Sequence, residues 1–210
     1  VKDKILAAMR ADSIPAAKDG LWYIMKQTYH KRAVGLQDGK PVDVPPGSYT
    51  FLIRWTTATL HTHGDTVMHD CPHELNSHLN FVLRAHGHVL VTGLGLGCVA
   101  RGLLANPRVR FVTVIEMSKS VLRMVYPHMP TKRIQILRSD ATRWVKQNRR
   151  KFDCAYHDLW SDPDAGDPKL QLMHSRMMSH LGMRAPVQGA WAHPRWSKRA
   201  WNERTPLTVF

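Results

Sequence analysis

The stretch HVLVTGLGLGCVARGLL, residues 88–104, decides how the rest of the chain is read. Val89, Leu90 and Val91 form a short apolar run, the pattern of a strand covered on both faces. Gly93, Gly95 and Gly97 follow at alternate positions, and a helix-like run begins at Cys98. A strand that passes through glycines into a helix N-terminus makes a corner suited to an anion or a nucleotide. Glycine permits positive φ and close approach of a ligand to the backbone, and the first turn of the helix offers unpaired N–H groups. The spacing here is G-x-G-x-G. Nicotinamide sites favour G-x-G-x-x-G/A, which would place the third small residue at Cys98.

Strand and helix patterns alternate from this corner onward. RFVTVIEM (110–117), RIQILRSD (133–140) and FDCAYHDLW (152–160) read as strands. SKSVLRMVYPHM (118–129) and ATRWVKQNRRK (141–151) read as the helices between them, PKLQLMHSRMMSHLGM (168–183) as a later helix, and PVQGAWAH (186–193) as a fifth strand. Such alternation implies right-handed crossovers and a parallel sheet. The expected fold class is therefore α/β: a Rossmann-like, mostly parallel sheet flanked by helices. Upstream, PHELNSHLNFVLRAHG (72–87) has Leu75, Leu79 and Val82 or Leu83 on one helical face. Residues 3–11 and 20–31 read as short amphipathic helices, 35–49 as a Gly/Pro-rich loop, and 49–70 as a β-hairpin. The expected division is an extension of helices and hairpin at 1–66 and a Rossmann-like cofactor-binding domain at 67–210.

Three acids punctuate the strand ends. Glu116 lies nineteen residues after Gly97 and ends the second strand; Asp140 ends the third and Asp158 the fourth. Ligands of open α/β sheets bind outside the carboxyl ends of the strands, so these acids and the glycines are expected to share one rim. A carboxylate at Glu116 can accept both ribose hydroxyls of a nucleoside. Asp140 can cap the helix that starts at Ala141, and Asp158 can serve a helix cap or turn as readily as a proton transfer. Alternation along the strand turns His157 away from Asp158.

With these elements in order, the chain resembles the class I S-adenosylmethionine-dependent methyltransferase fold, and within it the spermidine-synthase-like branch, over roughly residues 67–191. The resemblance implies that Gly93, Gly95 and Gly97 lie under the methionine and ribose part of the cofactor. It implies that Glu116 holds the ribose hydroxyls and that Asp140 with Ala141 meets the adenine amino group. It also gives Asp158 the place of the first aspartate in a DSSDP segment, and so the catalytic role; Asp162-Pro163 arrives one residue later. TVMHDCPHELNSH resembles the family's hairpin-to-helix entry. Val91 stands where many methyltransferases carry an acid, NPPY is absent, and the short stretch after the fourth strand implies abbreviated last strands. The function implied is an S-adenosylmethionine-dependent methyltransferase of unidentified acceptor. Aminopropyl transfer from decarboxylated S-adenosylmethionine and a non-catalytic cofactor- or nucleic-acid-binding module remain as alternatives.

Composition bounds the setting. Thirty Lys and Arg against sixteen Asp and Glu give a net charge of +14, a field that attracts polyanions and leaves nucleic acid open as a partner. Arg143, Lys146, Arg149 and Arg150 form a basic stripe. Arg195, Lys198, Arg199 and Arg204 form a second group interleaved with Trp191, Trp196 and Trp201. These can be read as a nucleic-acid contact, but a solvated face with tail tryptophans packed on the core is the preferred reading, since Trp is amphipathic and packs at rims. There is no apolar run long enough for a membrane span, and the first residues lack the pattern of a signal peptide. Three scattered cysteines suit a reducing cytoplasm. His61, His63, His69, His73 and His78 cluster in sequence, but without HExxH or CxxC no metal site is expected. Cys98 reads as a packing residue. The N-terminal helices and hairpin leave a homo-oligomer open.

Overall fold

The computed structural model describes residues 1–37, 40–55, 64–159 and 168–191. The N-terminal part holds one helix, α1 (Lys2–Met9), and a four-stranded antiparallel sheet. Its strands are β1 (Ala17–Asp19), β2 (Trp22–Tyr29), β5 (Gly47–Arg54) and β6 (Asp65–His69), in the order β1-β2-β5-β6. β3 (Ala33–Gln37) and β4 (Lys40–Val44) form a separate antiparallel ribbon.

Two expectations are corrected here. Residues 20–31 are not a helix. Gly20 turns the chain at φ +60° from β1 into β2, and β2 pairs along its whole length with β5, Ile24 opposite Leu52 and Tyr23 opposite Ile53. Trp22, Tyr23, Ile24, Thr28 and Tyr29 fit a pleated, half-buried surface better than a helix. Residues 35–49 are not all loop either, since they contribute to β3, β4 and the start of β5. Pro41 is compatible with β4 because a two-stranded ribbon consists of edge strands alone. The boundary drawn between residues 66 and 67 falls inside β6.

The second part is the parallel sheet. Its strands are β7 (Gly87–Thr92), β8 (Val109–Glu116), β9 (Ile134–Arg138), β10 (Cys154–His157) and β11 (Val187–Ala190), in the order β11-β10-β7-β8-β9. Every neighbouring pair in it is parallel. Numbered within this sheet the order is 5-4-1-2-3, the arrangement of doubly wound Rossmann-like folds, and the winding reverses between β7 and β10. Five strands are present among the described residues.

The alternation of β7 explains its unbroken apolar run. Val89 and Val91 pack on one face with Val112 and Val114 of β8, Leu79 and Val82 of α2 (Pro72–Arg84) and Leu103 of α3 (Cys98–Ala105). Leu90 packs on the other face with Ile115, with Val145 of α5 (Ala141–Gln147), and with Met177 and Leu181 of α6 (Pro168–Leu181). α4 (Lys119–Val125) connects β8 to β9. Full burial of a side chain such as Leu90 contributes about 2 kcal/mol.

Several contacts join the N-terminal part to this frame, among them α1 on α3 and the ion pair of Arg123 in α4 with Asp19 in β1, and a buried acid braces the N-terminal part itself. α1 lies on α3, where Gly102 leaves room for Met9: a Cβ at Gly102 would stand 2.6 Å from Met9 Cγ. Asp70, fully buried just after β6, accepts the Thr50 N–H at 2.7 Å and the Ala11 N–H at 2.9 Å, and pairs with Arg10 Nε at 3.2 Å. One carboxylate thus ties the end of α1 to β5 at the root of α2.

Candidate functional site

The corner after β7 is built from three residues in the left-handed region, Gly93 at φ +94°, Gly95 at +52° and Gly97 at +77°. All three make room for the protein itself, Gly97 for Met129. A Cβ at Gly93 would lie 2.0 Å from the Asp158 carbonyl oxygen, and one at Gly95 would lie 2.6 Å from Met68 Sδ. The ends of β7 and β10 therefore touch, with the Asp158 N–H donating to the Thr92 carbonyl at 2.8 Å. Met68 reaches over the turn from β6, and its sulfur accepts the Leu96 N–H at 3.2 Å.

Glu116 closes the other side of the turn. Its Oε2 accepts the Leu94 N–H at 2.9 Å and its Oε1 the Ser118 N–H at 2.6 Å. Burial pushes the carboxyl above its usual range, against the opposing pull of the Leu94, Ser118 and Met117 N–H groups. Each oxygen keeps a lone pair for a further donor. Asp140 is the N-cap of α5: Oδ1 accepts the Thr142 hydroxyl at 2.6 Å and the Arg143 N–H at 3.1 Å. The Thr142 bond and then the Arg143 bond hold this carboxyl below its usual range.

A pocket of about 260 Å3 opens at this corner. Gly93, Gly95, Glu116, Asp140, Ala141 and Asp158 all line it. The strand-end acids and two of the three glycines are thus brought together as the sequence implied. Gly97 does not line the pocket; it is the N-cap of α3, and its missing side chain makes space for Met129. Leu159 and Met173 complete the wall beside Asp158.

The roof of the pocket was not legible in the sequence. Trp22, Leu52, Arg54, Val67 and Met68 come from the N-terminal sheet, and Trp191 from just beyond β11. Arg54 stacks its guanidinium 5.5 Å from the centre of the Trp22 ring. Reading residues 20–31 as a helix hid this wall. Glu74, from the first turn of α2, also lines the pocket; an acid at the head of an amphipathic helix was its signal.

Behind Glu74 and Asp158 lies a buried histidine, His78. Its Nδ1 shares a hydrogen bond with the Tyr156 hydroxyl at 2.8 Å, and its Nε2 lies 3.5 Å from Glu74 Oε1. Burial pushes the imidazole down, but Asp158 and Glu74 outweigh it and raise it above the usual histidine range. Burial likewise opposes ionisation of Glu74, and the hydrogen bond and charge of His78 overcome it and hold that carboxyl low. Asp158 is pushed up to about 6 by burial, with His78 pulling it down and Glu74 pushing it up. His157 points elsewhere, with Nδ1 bonded to the Thr92 hydroxyl at 3.0 Å and Nε2 to Gln188 Oε1 at 3.3 Å.

Among the described residues no three His, Cys, Asp or Glu side chains converge to hold a metal ion. His61, His63, Asp162, Pro163, Trp196, Trp201 and the basic residues Arg195, Lys198, Arg199 and Arg204 lie outside the described residues. Cys98 is buried, and burial pushes its thiol well above the usual range. No helix among the described residues is long and apolar enough to cross a membrane.

No family model matches the chain. Polyamine aminopropyltransferase 1 of Streptomyces coelicolor is 27% identical to it over 90 residues, which cover 38% of this chain and 17% of that protein. The chain is similar to a spermidine synthase solved with the transition-state analogue AdoDATO (TM-score 0.47, 18% identity, 82% of this chain and 63% of that one). It is also similar to spermidine synthase from Thermotoga maritima (TM-score 0.42, 16% identity, 79% and 72%). A third similar structure is human methyltransferase-like protein 13 in complex with SAH (TM-score 0.39, 18% identity, 53% and 60%). The chain spans less than a fifth of the length of the curated relative it matches.

Proposed function

We propose that the protein is an S-adenosylmethionine-dependent methyltransferase, with Asp158 as the group that orients and deprotonates the acceptor. The observation that carries this reading is the convergence of the glycine turn, Glu116, Asp140 and Asp158 on one pocket at the carboxyl ends of the strands. The donor set fits the cofactor. Glu116 would accept the ribose hydroxyls on its remaining lone pairs, and Asp140, with Ala141 beneath, would face the adenine. Arg54 would meet a carboxylate and Glu74 an ammonium, the two charges of an amino-acid end.

S-adenosylmethionine supplies a methyl group already activated on a sulfonium. The protein's share is alignment, exclusion of water and removal of a proton. The walls formed by Met68, Leu159 and Met173 keep water from the reacting centre. Asp158, with a carboxyl near 6, is ionised at neutral pH and still basic enough to take a proton from an acceptor. His78 stands behind it, its imidazole raised above the usual range by Asp158 and Glu74, and pulls the carboxyl toward the charged form.

Aminopropyl transfer is the second reading, and Glu74 favours it. With Asp158 it places two carboxylates on one pocket, a setting for a cationic amine despite the chain's overall positive charge. Arg54 favours methyl transfer, because decarboxylated S-adenosylmethionine lacks the group a guanidinium would pair with. Calorimetry with S-adenosylmethionine, its decarboxylated form and S-adenosylhomocysteine tests the choice. Tight binding of the first and third is expected. Preference for the decarboxylated form overturns methyl transfer in favour of the second reading.

A further inference from the structure

Residues 132–151 contain eight Lys or Arg and a single acid, Asp140. All eight cations are exposed. Two are partly engaged: Arg133 donates to the carbonyls of Val109 at 2.9 Å and Leu104 at 2.5 Å, and Arg150 donates to Gln135 Oε1 at 3.2 Å. None of the eight forms an ion pair with a described residue. Arg143 and Lys146 lie one turn apart on the outer side of α5, opposite the buried Ala141 and Val145. The helix begins at the pocket rim, where Asp140, Ala141 and Thr142 line the opening, and descends about 10 Å toward the far end of the sheet. Arg149, Arg150 and Lys151 follow it there, and the Arg150–Gln135 bond fastens that end to the edge strand β9. The result is a run of exposed cations from the mouth of the pocket down α5 to the far end of the sheet, with Arg133 at that end turned toward α3.

We propose that this band docks the phosphate backbone of a nucleic-acid strand. Like charges at this density repel one another in the free protein, and a polyanion relieves that cost. Arginine, five of the eight, pairs with phosphate through a planar fork of donors. A bilayer surface fits less well. The exposed large apolar side chains, among them Met117, Tyr126, Leu172 and Met183, lie outside 132–151, so the band lacks apolar residues to enter a membrane interface. The proposal rests on the surface alone and does not require the cofactor reading.

Fluorescence anisotropy with a mixed-sequence, labelled single-stranded RNA of about 20 nucleotides tests it. About five phosphate contacts predict a log–log salt slope near −3.5, a loss of roughly 100-fold between 50 and 200 mM salt. The triple variant Lys146→Glu, Arg149→Glu, Lys151→Glu should bind at least tenfold more weakly with a shallower slope. A charge-matched control, Lys2→Glu, Lys4→Glu, Lys31→Glu, should stay within about threefold of the parent at a given salt concentration. Melting curves establish that both variants are folded; if the triple variant is not, Lys146→Gln and Arg149→Gln singly carry the test, each expected to flatten the slope by about 0.7. Equal loss in the control, a flat salt response, or equal competition per charge by poly-glutamate or phosphatidylserine vesicles overturns the proposal.

Discussion

Glu116 and Leu94 meet across the end of the sheet: the carboxylate that closes β8 accepts the backbone N–H of the residue between the first two glycines, at 2.9 Å. The acid is thereby fixed in place before any ligand arrives, with its second oxygen held by Ser118. If Glu116 holds a ribose as proposed, Glu116→Ala removes two charge-assisted bonds to it, about 2–3 kcal/mol in all. S-adenosylhomocysteine affinity should fall roughly 30- to 150-fold by calorimetry. Unchanged affinity removes Glu116 from the proposed cofactor site.

Asp158 gives the protein a pH signature. An unfolded aspartate titrates near 3.8, and this one is raised to about 6 in the fold. Between those values the folded chain holds a proton that the unfolded chain has lost. Stability contributed by that proton is complete below about pH 4 and is lost as pH rises through 6. Asp158→Asn should therefore melt at the same temperature as the parent at pH 4 and a few degrees higher at pH 8. Methyl transfer should rise through pH 6 in the parent and be absent from the variant. Replacing His78 with Gln removes the imidazole that favours ionisation, so the rise should move to higher pH. A profile that stays put detaches His78 from the acid.

Arg54 discriminates between the two transfer chemistries. In the parent, S-adenosylmethionine should bind at least tenfold more tightly than its decarboxylated form. Arg54→Gln should bring that ratio toward one and leave affinity for 5′-methylthioadenosine, which lacks the amino-acid end, unchanged. A ratio unaffected by the substitution assigns Arg54 to the roof alone, as a partner of Trp22.

Asp70 tests the clamp that holds the end of α1 against β5. Asp70→Ala leaves two buried N–H groups without an acceptor and breaks one of the two ion pairs of Arg10, the one with Asp12 remaining, at a cost of about 3–5 kcal/mol. The urea midpoint should drop well below that of the parent. Loss of the Arg10 side chain alone should cost less, since the N–H bonds to Asp70 remain.

The parallel sheet was legible because its signals are local and reinforce one another. The run Val89–Leu90–Val91, the glycines and the strand-end acids each repeat one rule: strand, turn, helix, with polar groups collecting where strands end. Glu116, Asp140 and Asp158 followed from that rule and Ala141 from the resemblance, and the pocket gathers them. The N-terminal part obeys no such rhythm. Trp22, Ile24 and Met25 fit a helical face as well as a strand when only spacing is considered. Their state is settled by pairing with Arg54, Leu52 and Phe51, partners about thirty residues away in sequence. Gly97 was assigned to the ligand because glycine frees space, but spacing alone does not say whether a ligand or Met129 fills it. Glu74 and Arg54 were missed for the same reason: their importance depends on which wall of the molecule faces which.

The contact at Gly93 divides the labour of the molecule. Where a strand tip abuts the Asp158 carbonyl with no atom to spare, the turn and that residue are welded at a separation that side-chain change cannot adjust. The opposite wall belongs to a separate antiparallel sheet, and among its described residues only Met68 is fitted against the turn in the same way. Change in what the pocket accepts would then fall to that outer layer, while the turn beneath it stays as it was.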